Sequence, residues 1–161
     1  MNPYLADLFA QWLPPQTIRD YWRCDFTVQV PGGRDCRVAL SHKFQKGNSW
    51  FHGLHGHLRE MLQSEERDVY LDGHYHQAAT MHHTLPERNH TALLVASAGY
   101  KLVDHYAMRI SRGGSLPKLT GRAHWVLVDP FADDAAYMST PYACPRQAMA
   151  ALNGLQNLRA A

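Results

Sequence analysis

The chain carries eleven histidines, and nine of them fall between His42 and His90. Imidazole both titrates near neutrality and ligates transition metals, so this run is the first place to look for chemistry. Its sharpest group is Asp72-Gly73-His74-Tyr75-His76. On one continuous strand, Asp72, His74 and His76 point to the same face. Two imidazoles and a carboxylate on one surface form a ligand set for Fe, Zn or Mn with coordination positions left open. Asp72-Gly73 also suits a tight hairpin turn, which would take Asp72 off that face. The plainer alternative is a solvent-facing strand that carries imidazoles. A second group, Asp104-His105, lies in a predicted strand, with Asp104 on the face of Leu102, Tyr106 and Met108. A carboxyl in an apolar wall has a raised pKa, which suits a general base, with His105 as its catalytic neighbour. The plainer reading there is a hydrogen-bonded buried Asp. A third group, His52, His55 and His57, sits on a predicted helix. At about 100° per residue, His52 and His55 share a side and His57 points away. At most two of the three can share a metal, and all three are expected on the helix surface.

The His74-Tyr75-His76 triplet resembles the His-hydrophobe-His element of HUH single-strand nucleases. That resemblance implies a metal on the two histidines polarising a phosphate, and a tyrosine attacking it. Tyr100, Tyr106, Tyr137 and Tyr142 are all available. His82-His83-Thr84 does not fit the 2H phosphoesterases, because no second His-x-Thr or His-x-Ser motif occurs at His90 or His124. A cupin reading of His74 and His76 fails as well, because the glutamate expected a few residues later is absent. Walker loops, GxGxxG turns, GxSxG elbows and HExxH helices are missing, which argues against ATP, NAD and serine-hydrolase chemistry.

The elements that must position these groups follow from hydrophobic period. Leu5, Leu8, Phe9 and Trp12 have helical spacing, and Pro14-Pro15 ends that helix. Cys24, Phe26, Val28 and Val30 alternate with polar residues, and the alternation resumes at Cys36, Val38 and Leu40 after Pro31-Gly32-Gly33. Pairing Val28 with Cys36 and Phe26 with Val38 puts every apolar residue on one face, which predicts a hairpin. Phe26, Val28, Val38 and Leu40 are then expected inside, with Arg23, Thr27 and Arg37 outside. Trp50, Leu54, Leu58, Met61 and Leu62 predict a helix. A period of two returns from Asp68 to Met81, residues 82–90 read as a polar loop around Pro86, and Thr91–Ser97 and Tyr100–Ile110 read as strands. Ala123–Val128 adds an apolar strand, and Pro145–Leu158 a helix with proline at a favoured first position. The sum is a single α+β domain over residues 1–161. It would be a twisted antiparallel sheet of about five to six strands with helices packed on one face. This order is similar to that of the NTF2-like (SnoaL-type) cone over about residues 4–130, which implies a sheet curling round a pocket.

Composition bounds the function. The chain has 161 residues, 45% hydrophobic and 19% charged, with a net charge of +2. That excludes a disordered chain, and the charge alone does not indicate a nucleic-acid binder. No run approaches the roughly 18 apolar residues of a membrane span, so no membrane role is expected. Three cysteines without a CxxC pair, and no secretory leader, suggest reduced thiols in the cytoplasm. The leading expectation is a binding or interaction protein without a catalytic motif, bacterial or phage, acting on a protein partner or small molecule and self-associating as a homo-oligomer. No organic cofactor is implied; a divalent metal is the only group the residues suggest. The alternatives are a small-molecule acid–base enzyme using Asp104 and His105, and a metal-dependent nuclease using Asp72, His74 and His76. Nucleic acid is a partner only under that last reading or as bound single-stranded DNA.

Overall fold

The computed structural model describes residues 14, 22–44, 53–73, 78–97, 125–127 and 144–160. The alternation on either side of Pro31 produces β1 (Arg23–Val28) and β2 (Cys36–Ser41), paired antiparallel with Phe26 opposite Val38 and Val28 opposite Cys36. This is the register that the apolar pattern demands. Gly32 takes the turn at φ 74°, in the left-handed region where glycine is strain-free. The Gly33 N–H donates to the Val30 carbonyl at 3.0 Å and closes the loop.

Beyond the hairpin, the chain leaves the antiparallel plan. Helix α1 (His55–Gln63) carries it over the sheet to β3 (Val69–Asp72), which pairs parallel with β2. β4 (Ala79–Leu85) and β5 (His90–Ala96) form a second antiparallel hairpin around a 3-10 turn at Pro86–Arg88. Yet it is β5, not β4, that lies against β3, again parallel. The order across the sheet is β1-β2-β3-β5-β4. The architecture is therefore α+β with a mixed sheet, and the expected antiparallel sheet is corrected at its centre. The physical reason is the α1 crossover: parallel neighbours need a long connection, and α1 supplies it. The chain ends in α2 (Pro145–Ala160), begun by proline as its sequence predicts.

β4 also corrects the polar-loop reading of residues 82–90. Exposure alternates through Thr80, Met81, His82, His83 and Thr84, so the two histidines continue a strand of period two. The Thr84 and Thr91 hydroxyls join across the ladder at 2.7 Å. Asn89 ends the turn at φ 44°, a conformation that asparagine tolerates.

The sheet has two apolar faces. Ala39, Tyr70, Ala92, Leu94 and Ala96 pack with Phe44, Leu54 and Met61 on the α1 side. Cys36, Val38, Val69, Leu93 and Val95 form the core of the other side, flanked by Phe26, Leu71 and Val126. β5 is buried along its whole length, as befits a central strand covered on both faces. The hairpin burial differs from expectation. Val38 is buried and Phe26 half-buried, while Val28 and Leu40 remain 47% and 44% exposed. β1 is the outer strand, so the apolar face of the hairpin runs out past the core.

Candidate functional site

β3 is bounded by two buried carboxylates, Asp68 just before it and Asp72 at its end. Asp68 is fully buried and richly supplied. It accepts from the Arg37 backbone N–H at 2.7 Å, and its oxygens receive the guanidiniums of Arg37 and Arg34 at 3.2 Å. Its own N–H donates to the Arg37 carbonyl, and its carbonyl accepts from Leu93 N–H. A buried charge held by two cations and a backbone N–H is a fastening for β2, β3 and β5.

Asp72 stands at the opposite end, where the parallel strands β2, β3 and β5 finish at Ser41, Asp72 and Ala96. Ligands of sheets with parallel strands gather at such carboxyl ends. It is 5% exposed and faces His57 of α1, 1% exposed, with Nε2 3.4 Å from Asp72 Oδ1. The Phe44 N–H reaches Asp72 Oδ2 at 3.4 Å. His57 Nε2 also lies 3.1 Å from the Val95 carbonyl. Two oxygens before Nε2 assign the ring proton to that nitrogen. Nδ1 is thereby left a lone-pair acceptor, buried and without a hydrogen-bond partner among the described residues. Burial lowers the His57 pKa to about 4, only partly opposed by Val95. Burial raises Asp72 to about 6, against the pull of the Phe44 N–H and Lys43. Near neutrality the pair is a neutral imidazole beside a carboxylate.

His57 therefore does not lie on the helix surface. It stands three residues after Leu54 and four before Met61, inside the apolar stripe of Leu54, Leu58 and Met61. Measuring its angle against those leucines, instead of against His52 and His55, would have found it. The described strand ends at Asp72, and the next residue described after Gly73 is Ala78. His74, His76, Asp104 and His105 lie outside the described residues. Among the described residues, no group of three or more His, Cys, Asp or Glu side chains is placed to hold a metal. Burial pushes the Cys36 thiol up to about 11, which makes it a core residue instead of a nucleophile.

The second polar region is open. Asp25, Phe26, Thr27, Arg37, Glu65 and Arg67 line a cleft of about 270 Å³ beside β1. Its charges are mutually engaged. Arg23 grips Asp25 through two nitrogens at 2.8 and 3.2 Å and also reaches Glu60. Arg67 meets Glu65 at 3.0 Å and Asp25 at 3.7 Å. The backbone of β1 matters as much. The His42 N–H donates to the Trp22 carbonyl, which makes Trp22 and His42 a hydrogen-bonded pair. Alternation along an antiparallel ladder then turns the peptide groups of Cys24, Phe26 and Val28 toward β2, and those of Asp25 and Thr27 away from it. Among the described residues, no strand pairs with β1 on that outer side.

Comparison with protein-family models, with curated proteins and with solved structures finds no match. No described helix is long and apolar enough to cross a membrane.

Proposed function

We propose that this protein is a binding domain that engages a polypeptide partner by adding a strand to the outer edge of β1. The outward peptide groups of Asp25 and Thr27 carry this reading. An edge strand that offers N–H and C=O groups beside exposed apolar side chains is a template for strand addition. Val28 and Leu40 supply the apolar side chains, and no proline or bulge interrupts β1. Amide exchange in dilute protein tests the reading. The Asp25 and Thr27 amides are expected to exchange far faster than those of Phe26 and Val28, which β2 protects. Equal protection at all four positions would show an edge already covered and refute the reading.

Asp72 and His57 favour a second reading: acid–base chemistry on a small molecule, of the kind an NTF2-like pocket would serve. The buried Nδ1, unpartnered among the described residues, and the raised Asp72 carboxyl support it. Its burial argues against it, because substrate must reach the pair. Of the metal set Asp72, His74 and His76, Asp72 lies at that end of the sheet, and the two histidines lie outside the described residues.

A further inference from the structure

We infer that the strand added to β1 is β1 of a second copy of this chain, antiparallel about a two-fold axis at Phe26. The inference rests on the edge reading above and names its partner.

Register decides the argument. Side chains opposite one another in a ladder share a face, so only pairings of residues of like parity keep the apolar face continuous. A two-fold at Asp25 sets Asp25 of one copy against Asp25 of the other, and like charges directly opposite are destabilising. A two-fold at Cys24 leaves Phe26, Thr27 and Val28 beyond the end of the other copy's strand. A two-fold at Phe26 avoids both faults. Asp25 then faces Thr27, Cys24 faces Val28 and Phe26 faces Phe26, so five of the six residues of β1 pair and Arg23 alone falls beyond the other copy's strand. The outward peptide groups of Asp25 and Thr27 become the hydrogen-bonded pairs, as the backbone phase requires. Phe26 falls in the closer, non-hydrogen-bonded site, where large side chains gain most from contact.

The flanking charge permits such a meeting. A two-fold interface brings each patch against itself and must be self-complementary. The cleft side of β1 mixes Arg23, Arg37 and Arg67 with Asp25, Glu60, Glu65 and Glu66, paired within one chain. Two such lattices approach without a single-sign field between them. On the other face, the exposed Val28 and Leu40 of each copy extend the apolar surface across the axis.

Sedimentation and amide exchange over a concentration series test the pairing, with two variants. Wild-type protein is expected to dimerise, with Asp25 and Thr27 amides becoming protected as dimer forms. Thr27→Pro removes an outward N–H and spares the ladder to β2, and is expected to weaken the dimer about tenfold or more. Phe26→Cys under mild oxidation is expected to form a disulfide-linked dimer mapped to residue 26. Asp35→Cys, in the hairpin loop, is expected to give none. A monomer whose Asp25 and Thr27 amides stay fast overturns self-pairing and leaves the strand-addition reading intact. A monomer with slow amides there overturns both. A dimer that ignores Thr27→Pro and forms no Phe26→Cys crosslink places the interface elsewhere and overturns the inference. Oxidised wild-type dimer linked through Cys24 moves the two-fold to Cys24 and overturns the register.

Discussion

Asp68 and Asp72 lie four residues apart at the two ends of β3, are almost equally buried, and live in opposite circumstances. Asp68 collects two guanidiniums and a backbone N–H within 3.2 Å. Asp72 has one N–H at 3.4 Å and an imidazole that burial keeps neutral. A buried carboxylate with full compensation fastens strands. One with little compensation has its proton affinity raised and is held in place by its surroundings. The comparison separates a structural carboxylate from one with chemistry to spare, although both look alike by burial.

The largest expected effect tests the fastening. Asp68→Ala leaves the guanidiniums of Arg34 and Arg37 beside an uncharged hole and removes the acceptor of the Arg37 N–H. A loss of about 2–3 kcal/mol is expected from urea unfolding, chiefly from the Arg37 N–H that loses its acceptor, since both guanidiniums stay solvated. A loss under about 1 kcal/mol would mean that the cluster contributes little to the fold. Asp72→Asn keeps the shape and removes a poorly compensated charge, so at pH 8 it is expected to stay within about 1 kcal/mol of wild type or to exceed it. A loss as large as that of Asp68→Ala would erase the distinction drawn between the two carboxylates.

The pH dependence sharpens it further. Asp72 has a folded pKa near 6, above its ordinary 3.8, so its contribution is present below 3.8 and lost as pH rises through 6. His57 has a folded pKa near 4, below its ordinary 6.5, so its contribution is present above 6.5 and lost as pH falls through 4. Between pH 4 and 6 the two slopes oppose each other and nearly cancel. Single variants should unmask them. With Asp72→Asn, the melting temperature is expected to fall on acidification from pH 6.5 to 4; with His57→Gln, it is expected to rise from pH 6 to 4. Parallel profiles for the two variants would contradict the opposed shifts.

The smallest expected effect concerns metal. Asp72 is committed to Phe44 and His57, so zinc or manganese added to chelator-treated protein is expected to leave the melting temperature unchanged. A rise abolished by His74→Ala, by His76→Ala and by Asp72→Asn would draw Asp72 out of the interior and establish it as a ligand with those two histidines.

How far these regions could be read from sequence follows from the range of the signals. The hairpin and its register were legible because Cys24–Val30 and Cys36–Leu40 both alternate and the turn between them is local. β5 was legible as an apolar run. The parallel pairing was not, because hairpin–helix–strand has the same local pattern whether α1 returns the chain beside β2 or elsewhere. β4 was hidden by composition: His82, His83 and Thr84 look like a loop until their alternation is counted. At the site, Asp72 was singled out, but its contact with His57 was not. Its nearest titratable partner is fifteen residues upstream on a helix, and only the crossover of α1 brings His57 over the end of β3.

The strand order also has a consequence for synthesis. β5 lies between β3 and β4, although it is made after both. Until Ala96 has left the ribosome, β3 has no neighbour on that side, and β4 has no strand to fold against. For that interval the nascent chain exposes the inner edge of β3, with the apolar groups of Val69 and Leu71 and no ladder to cover them. Among the described strands, the last to be translated is thus the one that closes the centre of the sheet, and a chain stopped short of it carries an open edge in place of a core.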